Sequence, residues 1–317
     1  MKNEYSPIAL FCYKRLDHLK ATFDALEKNS DFSRHQLFIF VDGPKSENDR
    51  LAQNSVCEFA LSLAKQPNVS CIIRPSNLGL KSSIIAGITH VLSLEDSVIV
   101  VEDDILTSSA FLPYMNKCLQ TYRTVDHIFS ISGYSHSQGK SSRSVYLSRR
   151  GSSWGWGTWR DRWNSVNWDR EFCKIQLSNR QIRNNFVSGG SDLVEMLNDQ
   201  INGLVDSWSI LFDLNMASQG KFCLYPDISF VQNIGFDGSG VNCHSDPHSI
   251  YRNRYLNDNC NLDLPFNISY ESNLDINRSI HANNWASFKS RVRRLKRFVK
   301  LTFRPRFRHQ MLVLEKK

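Results

Sequence analysis

The chain has no cysteine pair spaced C-x-x-C; its eight cysteines are scattered. Zinc-ribbon and thiol-redox readings therefore lose their support, and buried free thiols are the expectation. No G-x-G-x-x-G follows the first strand-like run, and G-x-x-x-x-G-K-[ST] is absent. Dinucleotide binding and P-loop phosphate binding lose their main signatures with them. No apolar run reaches the length of about 20 residues that a membrane-spanning helix needs. The start, Met1-Lys-Asn-Glu-Tyr5, leads directly into a strand-like run rather than a leader, so a cytoplasmic location is expected. There is no internal repeat.

What is present suits a globular body with a different tail. The 317 residues are 41% hydrophobic, enough for a sizeable core in one or two domains. The net charge of +8 is unevenly spread. Residues 276–317 hold 13 Lys/Arg against one acid, Glu315, so the first 275 residues hold 26 basic against 30 acidic side chains. A mildly acidic body is a poor nucleic-acid binder, and no nucleic-acid partner is expected. From about 285, Phe288, Val292, Leu295, Phe298, Val299, Leu301 and Phe303 interleave with ten Lys/Arg between 289 and 308. That pattern predicts a basic amphipathic helix, broken at Pro305 and suited to an anionic membrane surface. Each basic residue near such a leaflet contributes about 1 kcal/mol. A helix lying on the body, a disordered tail or an RNA-binding tail are the plainer alternatives.

The first half of the body alternates strands and helices. Strands are predicted at 8–12, 37–41, 69–73 and 97–104, with helices at 16–28, 47–65 and 80–93 between them. A helix near 108–123 and a strand near 128–132 follow. A β-α-β-α-β-α-β series implies a parallel sheet with right-handed crossovers. After about 140 the regularity fades. Residues 171–203 look helical but polar, a helix opens at Val205-Asp206-Ser207-Trp208 and runs to about 218, and short strands are expected at 221–226 and 228–231.

One stretch organises the rest. Val98-Ile-Val-Val101 is a strand buried on both faces, and it runs into Glu102, Asp103 and Asp104. Three adjacent carboxylates repel one another, and hard oxygen ligands suit Mg²⁺ or Mn²⁺. Capping of the next helix is the plainer reading, although one cap needs one acid. Ligands of open α/β sheets gather at the carboxyl ends of the strands. The strand-end residues 13–15, 42–44 and 102–104 should share that edge. There Arg15 could meet a base or phosphate and Asp42 a ribose or base; a surface ion pair and a turn with Gly43 are the alternatives.

In this order the blocks resemble a GT-A glycosyltransferase, of the N-acetylglucosaminyltransferase I type and its bacterial relatives. The resemblance rests on Pro7 to Arg15, Phe40-Val-Asp-Gly43, Val100-Val-Glu-Asp-Asp104, Ile131-Ser-Gly-Tyr134, Trp154-Gly-Trp-Gly157, Val205-Asp-Ser-Trp208, Tyr225-Pro-Asp-Ile-Ser229 and Gly240-Val-Asn-Cys-His244. It spans about residues 7–245. It implies a GT-A, Rossmann-like fold: a mixed, mainly parallel sheet flanked by helices, with the basic tail appended. Residues 1–135 would form the nucleotide-sugar half, 136–250 the acceptor half, 251–284 an extension and 285–317 the tail.

The resemblance also implies roles. Asp104 would hold Mn²⁺ or Mg²⁺ on the donor diphosphate. Glu102 and Asp103 would face ribose and donor sugar, with Arg15, Asp42 and Trp156 also on the donor. Asp206 would be the general base of an inverting transfer, or simply the cap of the helix it precedes. Ser207 departs from the family's paired acids, and His244 follows Asn-Cys rather than Ser. His244 is a second candidate metal ligand or a diphosphate contact. The tryptophans between 154 and 168 are expected to form a sugar platform or a core with glycine bends. The implied reaction uses a nucleotide-sugar donor, UDP-linked, and a glycan acceptor, lipid-linked if the tail binds the inner face of the cytoplasmic membrane, in bacterial surface polysaccharide synthesis. The rivals are a sugar-1-phosphate nucleotidyltransferase, disfavoured because Tyr13-Lys-Arg-Leu-Asp17 replaces its glycine-rich loop, and a catalytically dead glycan-binding or membrane scaffold.

Overall fold

A sheet of eight strands in the order β3-β2-β1-β4-β8-β6-β9-β7 runs through the protein. The computed structural model describes residues 4–137, 139, 144–239, 255–259 and 261–270. Its first half reads β1 (Ile8–Cys12), α1 (Leu16–Glu27), β2 (Leu37–Val41), α2 (Glu47–Leu63), β3 (Val69–Ile73), α3 (Leu80–Leu94) and β4 (Ser97–Glu102). β1 and β2 are continuous apolar runs, as strands covered by helices on both faces are, and β1 is buried at all five positions. α1 turns Leu19, Thr22, Phe23 and Leu26 inward at helical spacing.

The chain continues through β5 (Ile105–Thr107), α4 (Phe111–Thr121), β6 (Ile128–Ser132), β7 (Val145–Ser148) and β8 (Trp156–Trp159). Then come α5 (Arg160–Asn164), α6 (Arg170–Ser178), α7 (Arg180–Val187), α8 (Leu193–Ile201), α9 (Ser209–Ser218), β9 (Phe222–Pro226) and β10 (Val231–Asn233). β1 to β4 are mutually parallel, and β8 runs antiparallel between β4 and β6. β9 is parallel to β6, and β7 closes the edge antiparallel to β9. This is the mixed, mainly parallel sheet flanked by helices that the GT-A resemblance implies. The second half of the chain completes the same sheet.

Several expectations need correction. The Trp-Gly-Thr-Trp segment at 156–159 is a strand, paired Val100 to Trp156 and Ser97 to Trp159. The strand expected at 228–231 lies at 231–233 and pairs with β5 in a separate two-stranded ribbon. The polar stretch 171–203 is three helices. Asp169 caps α6 by accepting from the N–H groups of Glu171 and Phe172 (2.7 and 3.0 Å), and Asn179 caps α7 likewise. These helices bury Cys173, Phe186, Leu193 and Leu197 against Ile210, Leu211, Leu214 and Ala217 of α9. The helix expected from 205 begins at Ser209.

Among the described residues no helix is long and apolar enough to cross a membrane. Part of the expected extension lies along α4: the Lys117 ammonium donates to the Leu262 carbonyl (2.9 Å), and the Tyr122 hydroxyl to that of Pro265 (3.0 Å). The basic tail and His244 lie outside the described residues.

Candidate active site

Strand order locates a crevice before any side chain is considered. β1 has β2 on one side and β4 on the other, so the order of connection reverses between β1 and β4. Loops leaving the carboxyl ends of two such strands diverge and leave room for a ligand. β1 delivers Tyr13, Lys14 and Arg15 to this point, and β4 delivers Glu102, Asp103 and Asp104, with Phe11 opposite Glu102.

The structure brings Arg15, Asp103 and Asp104 together. Arg15 Nη2 donates to Asp104 Oδ2 at 2.8 Å and also to Asp103 Oδ1, and Nε reaches Asp103 Oδ2 at 3.4 Å. Both aspartates are buried. Their backbones are fixed as well: the Thr22 hydroxyl donates to the Asp103 carbonyl (2.7 Å), and the Ile234 N–H to that of Asp104 (2.8 Å). The β5–β10 ribbon carries Gly235 directly onto Asp104. A Cβ at Gly235 would lie 2.3 Å from Asp104 Oδ2, so only glycine fits. Farther along, Asp237 meets the His18 imidazole at 3.3 Å.

Crowding shows in the titration of the acids. Burial pushes the Glu102 carboxyl up to about 8, with Asp104 and Asp103 adding repulsion. Burial also raises Asp103, to about 6, against the opposing pull of Arg15. Burial disfavours the charge on Arg15, but its two aspartates outweigh that and hold its pKa above the ordinary value. Arg15 Nη1 is buried with no hydrogen-bond partner among the described residues.

A hard divalent cation fits this donor set. Two buried carboxylates already converge on one positive nitrogen, which is the charge arrangement such an ion requires. No group of three or more His, Cys, Asp or Glu suited to a metal occurs among the described residues. Mg²⁺-type sites commonly use one or two carboxylates and take their remaining ligands from substrate phosphates and water. A protein-only cage is therefore not required.

Asp42 has a different task from the one expected. It is buried, and its carboxylate accepts four N–H donors: Gly43 N and Leu78 N at 3.0 Å, and Asn77 Nδ2 and Gly79 N at 3.1 Å. Four donors fill a carboxylate's capacity, leaving nothing for a base or ribose. Asp42 instead ties the 77–79 loop to the end of β2 and thereby sets the start of α3.

That start carries Lys81, whose ammonium lies 3.6 Å from Asp206 Oδ1. The Asp206 side chain is 59% exposed and Lys81 16%. Asp206 does not cap α9: Trp208 occupies the cap position, and no side chain caps that helix. Trp208 is buried and stacks on Trp156 (5.0 Å between rings, 18° between planes), which anchors the chain two residues beyond Asp206. Ser207 N donates to the buried Gln200 Oε1 at 2.6 Å. Asp206 is thus an exposed carboxylate on a pinned backbone, held toward the sheet edge by a lysine.

The sugar-platform expectation fails for most of the aromatic cluster. Trp156, Trp159 and Trp163 are all buried. Trp159 and Trp163 spend their indole N–H groups internally, on Leu119 O (2.9 Å) and Thr89 Oγ1 (3.0 Å). Trp156 is therefore a core residue rather than a donor contact. The tryptophan bordering the site is Trp154, half-buried and edge-on to Phe236 (5.8 Å), the neighbour of Gly235. Behind the site, Asp213 of α9 is buried and accepts from Gly151 N (2.9 Å). Burial pushes it up to about 7 against the pull of Arg150, which forks onto Asp192 (2.9 and 3.0 Å).

Sequence reasoning missed Lys81; it took Trp154 only as one of the tryptophan cluster and Gly235 only as a loop glycine, without its place against Asp104. The strand-end rule applied to β1, β2 and β4 would have reached Lys81 if extended from the Asn77-Leu-Gly79 turn to the helix it starts. Nothing local in sequence couples Gly235 to Asp104.

No family model matches the chain, and no curated protein matches it. Among solved structures, the mannosyltransferase PcManGT from Pyrobaculum calidifontis, in complex with GDP-Man and Mn²⁺, aligns at 10% identity and TM-score 0.37 over 50% of this chain and 46% of its own. GalNAc-T7 with UDP, GalNAc and Mn²⁺ aligns at 9% identity and TM-score 0.45 over 70% and 42%. The chain spans less than half the length of either. Neither is described as an N-acetylglucosaminyltransferase I.

Proposed function

We propose that this chain is an inverting, metal-dependent glycosyltransferase that moves a sugar from a nucleoside diphosphate donor, UDP-linked, to a glycan hydroxyl. The observation that carries the reading is the juxtaposition at one sheet edge. Asp103 and Asp104 converge on a cation position at the switch between β1 and β4, and Asp206 stands exposed at the start of α3, held by Lys81.

Asp104, seconded by Asp103, would hold Mn²⁺ or Mg²⁺, and Glu102 would face the ribose or donor sugar. A cation bound there would neutralise the charge that builds on the leaving diphosphate. Asp206 takes the proton from the acceptor hydroxyl as it attacks the donor carbon. Lys81 holds that carboxylate in place between turnovers. The ribbon bearing Gly235 and Phe236, with Trp154, forms the lip that excludes water from the donor. Work on a lipid-linked acceptor in surface polysaccharide synthesis, with the basic tail on the inner membrane face and His244 as a further ligand, belongs to the same proposal.

The experiment is Asp206→Asn. General-base removal costs about 10²- to 10⁴-fold in rate. Transfer should fall by that amount while UDP binding with Mn²⁺ persists. Transfer at the parental rate refutes the assignment of Asp206.

A further inference from the structure

We propose that Arg15 is a built-in counter-cation for the Asp103–Asp104 pair, which a divalent cation must displace, and that the released guanidinium then binds the donor's diphosphate. This rests on the metal reading above.

The geometry sets the two cations in competition for the same carboxylates. Arg15 Nη2 is shared by both carboxylates, and its bond to Asp104 uses Oδ2. The chain also passes close to that same oxygen at Gly235, where a Cβ would lie 2.3 Å from it. A metal ion drawn to Asp104 Oδ2 meets Arg15 already bonded there and competes with it for the pair. Two like charges a few ångströms apart in a buried site also repel strongly. Yet some cation is needed. Three successive carboxylates crowd the end of β4, and without Arg15 the buried pair would face uncompensated repulsion.

Movement is feasible because the tether is fixed and the head is not. The Arg15 backbone starts α1, with its carbonyl accepting from Leu19 N at 3.0 Å. The long side chain can swing from that anchor. The head has bonding capacity in reserve, since Nη1 has no partner among the described residues although it is buried. A planar guanidinium with free N–H groups is matched to phosphate oxygens. The exchange makes donor and metal binding mutually reinforcing. The ion frees the arginine, and the diphosphate gives the arginine a new partner.

The test is Mn²⁺ binding to the full chain, read by the loss of the free-ion electron paramagnetic resonance signal, with and without UDP. In Arg15→Gln, Mn²⁺ alone should bind at least tenfold more tightly than in the parent. UDP in the presence of Mn²⁺ should bind at least tenfold more weakly. Arg15→Lys keeps the charge but loses the fork, and should tighten Mn²⁺ binding by a smaller factor; it carries the test if the glutamine variant does not fold. Unchanged or weaker Mn²⁺ binding in the variants, with Asp104-dependent binding intact in the parent, overturns the role of Arg15 and leaves the metal site standing. Absence of Mn²⁺ binding to every form, with or without UDP, overturns both.

Discussion

Replacing Asp213 by Asn should make the protein more stable at alkaline pH, the reverse of what removal of a charged side chain usually does. Asp213 lies buried on α9, the helix whose entry positions Asp206, and burial raises its pKa from 3.8 to about 7. A carboxyl whose folded pKa is raised holds its proton longer in the folded state. Its contribution is most favourable below pH 3.8 and is lost as pH rises to about 7. That difference corresponds to roughly 4 kcal/mol in total, of which roughly 2–3 kcal/mol falls between pH 5 and pH 8. The introduced amide would keep an oxygen to accept from Gly151 N and would carry no charge, and Arg150 would retain Asp192. Urea unfolding of parent and variant at pH 5 and pH 8 isolates the effect, because other titrating groups cancel in the double difference. The variant should gain roughly 2–3 kcal/mol on the parent between the two pH values. An equal difference at both refutes the claim that Asp213 is a carboxyl forced to ionise in a dry site.

Three further outcomes follow from the contacts. Asp42→Asn sets an amide against four N–H donors and should cost about 1–3 kcal/mol in urea unfolding; a neutral result would mean that the 77–79 loop does not depend on that carboxylate. Gly235→Ala places a Cβ on Asp104, so overpacking of about 1–3 kcal/mol is expected, with weakened Mn²⁺-dependent UDP binding in calorimetry. Lys81→Met should change stability by less than about 1 kcal/mol, since the contact it breaks is long and its Asp206 partner is solvent-exposed, while transfer slows with UDP binding unchanged; unimpaired transfer would remove Lys81 from the site.

The first half of the fold was legible because the physics there is local. β1 and β2 are unbroken apolar runs and β3 is broken only by Ser70, and the observed ends of all three match the expected ones. β8 was not legible: four residues with two tryptophans and a glycine carry no alternation, and only pairing with β4 and β6 makes them a strand. β5 is too short to signal itself. At the site, strand-end position brought out Arg15, Asp42 and the three acids at one edge. Their tasks depend on residues far away in sequence. Asp42 is claimed by donors 35 to 37 residues on, and Asp104 is crowded by a glycine just beyond the other ribbon strand. The aromatic cluster misled because large rings serve cores and sugar sites alike, and only burial separates Trp156 from Trp154.

The most direct measurement of the central claim is calorimetric titration of UDP into the parent and into Asp104→Asn, each with and without Mn²⁺. A nucleotide site built on the cation position between β1 and β4 should give heat with the parent only when Mn²⁺ is present, and little with the variant. Binding of UDP that is equally strong without Mn²⁺ or without the Asp104 carboxylate would contradict it.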